Sequence, residues 1–183
     1  MIPAYIHDEA VIHPLASVGL PGDHREMDSD GAPPIEIGAG TVVREFCVIK
    51  RALAGAPSAR GTTIGKDCLL MTAVHVYEGC CIGDCVEINV RATLCGYVDV
   101  MDGARIGAGA IIHPGVTIGE GALVGLGAAV IEDVPPESVV VGNPARTLRR
   151  GNATPDQLEA WEYLCRRKPI PESDIAFDMM EQS

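Results

Sequence analysis

Aliphatic residues recur at every sixth position along the central part of the chain. Between residues 64 and 130, all twelve positions at this spacing hold Ile, Leu or Val: Ile64, Leu70, Val76, Ile82, Ile88, Leu94, Val100, Ile106, Ile112, Ile118, Val124 and Val130. A spacing of six matches neither the 3.6-residue period of an α-helix nor the two-residue period of a single strand. The pattern therefore indicates a repeat whose units bury their apolar faces against neighbouring units.

A second set of small, mostly apolar residues lies two positions before these anchors: Cys68, Val74, Cys80, Val86, Ala92, Val98, Ala104, Ala110, Val116 and Ala122. Glycine follows several anchors, as at Gly65 and Gly107, and suits a turn that needs unusual backbone angles. Two inward residues in every six predict a parallel β-helix with three short strands and about 18 residues in each coil.

The repeat begins near the first residue and is interrupted twice. It is visible at Ile6, Ile12, Val18, Ile37, Val43 and Ile49. Gly, Pro and charged residues break it over 19–35 and again over 50–63, which predicts two loops that leave the coils. Loops of this kind lie on one face of a solenoid and often carry binding residues, although insertions without a function are also common.

The regular coils are predicted to end at prolines, and a helix to follow them. Pro135, Pro136 and Pro144 interrupt the repeat. Thr154 and Gln157 form a capping box around Pro155, and an apolar stripe follows it: Leu158, Trp161, Leu164 and Cys165. We therefore predict a β-helix over 1–148 and a short helical extension with a polar tail over 149–183.

Composition narrows the class of protein. The 183 residues suit one domain, and a net charge of −11 excludes the basic surface of a nucleic-acid-binding protein. The chain has neither an apolar run long enough to span a membrane nor a leader after Met1, so we expect a cytoplasmic protein.

The seven cysteines are better explained by packing than by a metal site. Cys80, Cys81 and Cys85 lie close together but lack the paired C-x-x-C spacing of zinc ligands. Cys68 and Cys80 fall on small inward positions of the repeat. We expect reduced, structural thiols and no bound metal.

The chain resembles the left-handed β-helix acyltransferases, and two branches of that superfamily fit. VREFCVIKR, DCLLMTAVHV, CCIGDCVEI and ATLCGYVDV are similar to bacterial UDP-N-acetylglucosamine O-acyltransferases of lipid A synthesis. LRRGNATPDQLEAWEYL resembles the start of that family's helical domain, whereas the segment from IGAGAIIHPG to VVVGNPAR is typical of nucleotide-amino-sugar N-acetyltransferases. The resemblance implies that the β-helix is left-handed and that the protein is a homotrimer.

The same resemblance implies a catalytic position that this chain fills differently. The O-acyltransferases place a catalytic His three residues after a substrate-binding His. Here the run HVYEGC has His75 followed by Glu78, so the expected base is replaced by a carboxylate. Carboxylates serve as general bases when burial raises their pKa, and an unperturbed His titrates near neutrality. Glu78 and His75 are our catalytic candidates, the alternative being a surface Glu and a structural His.

Further binding residues follow from the resemblance. Lys50, His113 and Tyr97 match substrate-contacting positions of the O-acyltransferases, although the family has His where this chain has Tyr97. Arg149 and Arg150 match paired arginines that face phosphates, but such pairs are also ordinary surface charge. With 18 residues per coil, Tyr77, Cys95 and His113 should form one line.

A donor site is predicted at two glycine-flanked turns. Gly107-Ala108-Gly109 and Gly125-Leu126-Gly127 are 18 residues apart and should stack. Small residues there admit an extended pantetheine arm, which in related enzymes runs between two subunits of a trimer, although glycine is also routine in such turns. The donor is expected to be an acyl-CoA or acyl-carrier-protein thioester, as a co-substrate, with no tightly bound cofactor.

The predicted function is acyl transfer to a hydroxyl or amine of a nucleotide-linked sugar, by direct attack on the thioester without an acyl-enzyme. The carrier protein is an optional partner. A non-catalytic solenoid that binds a nucleotide sugar or a protein is the alternative, because the family's His is missing. A γ-class carbonic anhydrase is a distant third, since that family's histidine spacing is absent from His7, His13, His24, His75 and His113.

Overall fold

A computed structural model describes residues 4–20, 32–52 and 60–148, and strands are the only regular secondary structure in these ranges. The first ten strands are β1 (Ala4–Ile6), β2 (Val11–Ile12), β3 (Ser17–Leu20), β4 (Ile35–Ile37), β5 (Val42–Val43), β6 (Val48–Lys50), β7 (Thr62–Ile64), β8 (Leu69–Leu70), β9 (His75–Val76) and β10 (Cys81–Ile82). The next ten are β11 (Glu87–Ile88), β12 (Thr93–Leu94), β13 (Asp99–Val100), β14 (Arg105–Ile106), β15 (Ile111–Ile112), β16 (Thr117–Ile118), β17 (Leu123–Val124), β18 (Ala129–Val130), β19 (Val139–Val141) and β20 (Arg146–Thr147).

The strands form three parallel sheets that surround one core. Sheet A contains β1, β4, β7, β10, β13 and β16, and sheet C contains β3, β6, β9, β12, β15 and β18. Sheet B contains β2, β5, β8, β11, β14, β17 and β19, with β20 at its edge. Thr93 pairs with His75 on one side and with Ile111 on the other, so each coil here has 18 residues. The predicted parallel β-helix is therefore confirmed.

The hexapeptide anchors and the small residues two positions before them form the core. All twelve anchors and all ten small residues are buried, with exposures between 0 and 4%. Burying each Leu, Ile or Val side chain contributes about 1.5–3 kcal/mol, and ladder hydrogen bonds satisfy the backbone between coils. The same two types of contact, apolar packing inside and backbone hydrogen bonds between strands, therefore hold each coil to the next.

Three corners connect the sheets, and we name them CA, AB and BC after the sheets that they join. Between residues 38 and 127, each described corner turn contains one residue in the left-handed region of backbone space. At the CA corner these residues include Gly79, with φ of 67°, and Tyr97, with φ of 62°. A side chain at such an angle costs energy, so Tyr97 is held there by its surroundings rather than by preference.

Both interruptions of the repeat occur at the CA corner. The first lies between β3 of sheet C and β4 of sheet A, and the second between β6 of sheet C and β7 of sheet A. The strands extend slightly into the predicted loops, because Leu20, Ile35, Lys50 and Thr62 all belong to strands. Residues 21–31 and 53–59 lie outside the described residues.

The last coil is incomplete and closes with a reversal of direction. Val134 bridges Ile118 in place of a full strand, and β19 continues sheet B before β20 pairs with it antiparallel. The sequence predicted the break at the prolines but not this hairpin, which covers the edge of sheet B. The predicted C-terminal helix and its boundary after residue 148 fall in 149–183, outside the described residues, and stay predictions. Within the described ranges, no helix has the length and apolar character needed to cross a membrane.

Candidate active site

Glu78 occupies a turn of the CA corner between β9 and β10, and its side chain is withdrawn from solvent at 7% exposure. Gly96 lies beside it in the next coil, where an added Cβ would come within 3.1 Å of Glu78 Oε1. The Tyr97 N–H donates to the Glu78 carbonyl oxygen at 2.9 Å and fixes the turn. A glycine in the neighbouring coil thus leaves the space that the carboxylate occupies.

The Glu78 carboxylate contributes to the raised pKa values of two thiols, Cys80 and Cys95. Burial raises the pKa of Cys80 to about 12, and the negative charge of Glu78 acts in the same direction. Burial and the same charge also raise the pKa of Cys95. Both thiols are therefore held in the neutral form, and neither is an activated nucleophile.

His75 lies on the outer face of sheet C, where its side chain is exposed. Its strand neighbours at the same position are Val48 and Thr93. His75 therefore belongs to the flat face of the sheet, whereas Glu78 belongs to the corner at the edge of that face. Their separation by three residues places them on adjacent parts of one surface.

A line of side chains runs along the edge of sheet C beside this corner. Strand register places Lys50 next to Tyr77, and the Lys50 ammonium lies 4.7 Å from the centre of the Tyr77 ring. Cys95 and His113 continue the line, as their backbone hydrogen bonds to Ile112 and Val130 show. Lys50 is buried, and the exposed His113 ring has Nδ1 at 3.2 Å from the Pro114 carbonyl oxygen. The predicted stacking of Tyr77, Cys95 and His113 is present.

Tyr97 packs its ring against the backbone of the Glu78 turn. An added Cβ on Gly79 would come within 2.5 Å of the Tyr97 ring, so the ring covers Gly79 directly. The half-buried Tyr97 is therefore part of the wall beside Glu78. Its role in substrate binding stays a prediction.

Arg60, which the sequence reasoning did not select, clamps the end of the second loop to this corner. Its Nε donates to the Gly79 carbonyl oxygen at 2.7 Å and one terminal nitrogen donates to the Tyr97 carbonyl oxygen at 2.9 Å. The other terminal nitrogen pairs with the Asp99 carboxylate at 2.8 Å. The second loop is the feature of the sequence that could have indicated Arg60. An arginine at the end of that loop, just before the repeat begins again, can reach back to the corner.

Thr62 makes a second connection between the loop ends and the Glu78 turn. Its hydroxyl donates to the Lys50 carbonyl oxygen at 2.7 Å and accepts from the Gly79 N–H at 3.0 Å. Thr62 is fully buried, so these bonds are shielded from water. The two sides of the loop and the Glu78 turn are thus joined through one hydroxyl group.

The predicted donor turns stack as expected but lie at the BC corner. The Gly127 N–H donates to the Ala108 carbonyl oxygen at 2.9 Å, and an added Cβ on Gly107 would come within 2.7 Å of the Gly125 backbone. Leu126 is 79% exposed at the tip of its turn. The outer face of sheet C separates these turns from the CA corner, so a donor that serves both must lie across that face.

The paired arginines and the search for a metal site complete the set of predicted sites. Arg149 and Arg150 lie outside the described residues. Within 4–20, 32–52 and 60–148, no group of three or more His, Cys, Asp or Glu side chains is placed to hold a metal ion. A surface groove of about 540 Å³ lies on sheet A between Met101 and Pro136, and none of the predicted site residues lines it.

Comparisons with known proteins agree with this architecture. No family model matches the chain. An acyl-[acyl-carrier-protein]–UDP-N-acetylglucosamine O-acyltransferase of Verminephrobacter eiseniae is 35% identical over 134 residues, which cover 73% of this chain and 50% of that protein. A solved Arabidopsis UDP-N-acetylglucosamine acyltransferase has a TM-score of 0.72 and 26% identity, covering 90% of this chain and 59% of its own.

A second type of acyltransferase is also similar. Perosamine N-acetyltransferase from Caulobacter crescentus, solved as a mutant with CoA and GDP-perosamine, has a TM-score of 0.55 and 25% identity, covering 80% of this chain and 57% of its own. The chain spans about half the length of the first curated relative that it matches. Together these likenesses confirm the left-handed β-helix that the sequence predicted, and they agree with both branches of the resemblance.

Proposed function

We propose that this chain, which is related to the hexapeptide-repeat acyltransferases, transfers an acyl group from a thioester donor to a nucleotide-linked sugar. The acceptor atom is a hydroxyl oxygen or an amine nitrogen, as in the two types of similar enzyme. The donor is an acyl-CoA or an acyl-carrier-protein thioester. The protein works as a homotrimer in the cytoplasm.

The observation that carries this proposal is the burial of Glu78 at the CA corner. An acidic side chain in a hexapeptide turn is ordinarily solvated, but the Glu78 carboxylate is 7% exposed and occupies space left by Gly96. The backbone around it is fixed by Tyr97, Thr62 and Arg60. A carboxylate held in one position beside an inserted loop has the geometry that a general base requires.

In the proposed reaction, Glu78 accepts the proton of the acceptor hydroxyl or amine as that atom attacks the thioester carbonyl carbon. The new C–O or C–N bond forms in this attack and gives a tetrahedral intermediate, whose C–S bond then breaks as the carbonyl re-forms. The proton on Glu78 then passes to the departing thiolate, which leaves as a free thiol. No covalent acyl-enzyme is needed, and the neutral thiols of Cys80 and Cys95 fit that route. His75 orients the acceptor from the adjacent sheet face.

The donor is proposed to lie over the outer face of sheet C. Its pantetheine arm would pass the turns at Ala108 and Leu126 and reach the Glu78 corner past His75. A neighbouring subunit of the trimer would supply the opposite wall of this groove. Leu126, being 79% exposed, would then contact the arm or the adjacent subunit.

The test is a panel of nucleotide sugars and nucleotide amino sugars, each offered with acetyl-CoA and with a hydroxyacyl carrier-protein thioester. Product masses are measured directly, because seven cysteines would interfere with thiol-detecting dyes. Glu78→Gln should lower kcat by about 10²- to 10⁴-fold, the usual contribution of a general base. Glu120→Gln is the matched control, since Glu120 occupies the equivalent turn position at the AB corner and is exposed.

A second function is favoured by one specific observation, the carboxylate at the position where the resemblance implies His. A nucleotide-sugar-binding solenoid without activity would bind members of the panel and yield no product with either donor. Product formation that is unaffected by Glu78→Gln and by His75→Ala would instead retain the enzyme and reject the proposed base.

A further inference from the structure

Arg51 is a buried cation at the CA corner with no assigned role. It directly follows Lys50 at the end of β6, just as Glu78 directly follows Tyr77 beyond the end of β9. Because Lys50 and Tyr77 are neighbours by strand register, Arg51 and Glu78 leave the sheet at the same point in adjacent coils. The Arg51 side chain is 9% exposed, which is rare for an arginine.

The guanidinium of Arg51 lacks partners of the kind that Arg44 and Arg60 have. Arg60 uses two carbonyl oxygens and the Asp99 carboxylate, and Arg44 pairs with Glu45 at 3.2 Å. For Arg51, no hydrogen bond or ion pair of the side chain is found with residues 4–20, 32–52 or 60–148. Arginine does not lose its proton in proteins, so the charge cannot be removed by titration. The buried side-chain atoms of the described residues that lack a hydrogen-bond partner include none of the Arg51 nitrogens, so the guanidinium reaches solvent at the corner. An unpaired guanidinium that reaches solvent is open to an anion as its partner.

The backbone on both sides of Arg51 is fixed. The Arg51 N–H donates to the Leu20 carbonyl oxygen at 2.9 Å. The Lys50 carbonyl oxygen accepts the buried Thr62 hydroxyl, and Ala52 is 1% exposed. The backbone that carries the Arg51 side chain is therefore held in place before any ligand arrives, which lowers the cost of binding.

We propose that Arg51 binds an oxyanion of the acceptor substrate, either a phosphate of its nucleotide or a carboxylate on its sugar. This inference rests on the proposed function for the identity of the acceptor. The planar guanidinium fork matches two oxygens of either group. The adjacent Lys50 ammonium, 4.7 Å from the Tyr77 ring centre, adds positive charge at the same corner of a chain whose net charge is −11. An acceptor held there presents its reactive atom towards Glu78.

The binding test compares wild type with Arg51→Met, which keeps an unbranched apolar side chain and removes the charge. Arg105→Met on the outer face of sheet B is the matched control. Calorimetry measures affinities for pyrophosphate, UDP, GDP, UDP-glucose and UDP-glucuronate. Loss of one charge-assisted contact should weaken binding by about 10- to 100-fold in Arg51→Met and leave Arg105→Met unchanged.

The ligand panel separates the two sources of the oxyanion. If a phosphate is bound, pyrophosphate and the nucleoside diphosphates lose affinity in Arg51→Met. If a sugar carboxylate is bound, the preference for UDP-glucuronate over UDP-glucose disappears while the affinity for UDP is kept. Equal affinities of wild type and Arg51→Met overturn the proposal, and so does a wild type that binds none of these anions at millimolar concentration.

Thermal unfolding without ligand distinguishes this role from a structural one. Arg51→Met removes no hydrogen bond or ion pair with the described residues, so it should keep or raise the melting temperature of the ligand-free protein while losing its increase with ligand. A lowered melting temperature with unchanged anion binding assigns Arg51 to structure and overturns the proposal. Turnover is measured separately: Arg51-dependent anion binding without turnover rejects the proposed enzyme and retains this site.

Discussion

At the scale of single residues, the space around Glu78 is set by an absent side chain. Gly96 does not have a left-handed φ, so its backbone would accept alanine, and the contact with Glu78 Oε1 at 3.1 Å is what an added methyl group would disturb. The glycine is therefore explained by the carboxylate beside it and not by its own conformation.

Gly96→Ala should reduce activity while sparing stability. The methyl group would displace the carboxylate by a few tenths of an ångström, and we expect kcat to fall about 10-fold because small misplacements of a base are costly. The melting temperature should be almost unchanged, since alanine restricts the unfolded chain. In a Glu78→Gln background the same substitution should have no further effect on kcat, and a fully additive loss would contradict the assignment.

Also at the residue scale, the buried thiols make stability sensitive to alkaline pH. The pKa of Cys80 is raised to about 12 and that of Cys68 to about 11, above the ordinary value of 9.0, mainly by burial. Above pH 9 the unfolded chain loses these protons while the folded chain keeps them. The free energy of unfolding therefore falls as the pH rises from 9 towards 11 and 12.

A double variant, Cys68→Ala and Cys80→Val, should remove this loss. The replacing residues already occur at the equivalent inward positions of nearby coils. Ala104 is equivalent to position 68 and Val98 to position 80, so packing is maintained. Urea unfolding under reducing conditions at pH 8 and pH 10.5 measures the difference between variant and wild type. The variant should lose less stability than wild type over this range, and equal losses would show that the thiols are not responsible.

At the scale of elements, the Arg60 side chain joins the end of the second loop to the Glu78 turn. Arg60 contacts Gly79, Tyr97 and Asp99, which belong to two successive coils. Because both acceptor carbonyls belong to residues with left-handed backbones, the clamp holds the turn in a conformation that Tyr97 would not choose alone.

Arg60→Gln should therefore weaken both the fold and the site. Two carbonyl oxygens lose their donor, and a lost buried hydrogen bond costs about 1–3 kcal/mol, so the melting temperature should fall by several degrees. We expect a lower kcat as well, since the Glu78 turn loses its support. Asp99→Asn is the comparison, because it leaves both carbonyl contacts intact and should cost much less. Equal effects of the two variants would mean that the half-buried ion pair between Arg60 and Asp99, and not the carbonyl bonds, is responsible.

At the scale of the whole molecule, stability should vary along the axis of the β-helix. Coils contact only their neighbours, so an end coil is supported on one side. Among the inward-facing anchors, Ile6 in the first coil is 38% exposed, whereas Val76 and Leu94 in the middle are fully buried.

Hydrogen exchange of the backbone amides should reveal this gradient. Amides of β1 and β2 should exchange fastest among the strands, and those of β9 and β12 slowest, because local opening of an end coil exposes the least apolar surface. Mass spectrometry of peptic fragments gives the rates. Uniform protection from β1 to β18 would show that the coils unfold as one cooperative unit instead.

The sequence by itself determined the β-helix, its coil length and its core. The reason is that a fixed period of six places the same residue type at the same point of every coil, so local pattern and global fold carry the same information. The stacking of the glycine turns at 107–109 and 125–127 followed from the same arithmetic. The sequence also predicted where the repeat breaks, to within two residues at the described strand ends.

Tertiary structure alone decided which side chains surround Glu78. Arg51 and Arg60 lie at the two ends of the second loop, where the repeat gives no register. Only the folded corner shows that, among the described residues, Arg60 has side-chain partners and Arg51 has none. The hairpin of β19 and β20 was likewise invisible, because its antiparallel pairing departs from the six-residue period. Periodicity fixes the scaffold, but contacts between a loop and a distant coil depend on the folded path of the chain.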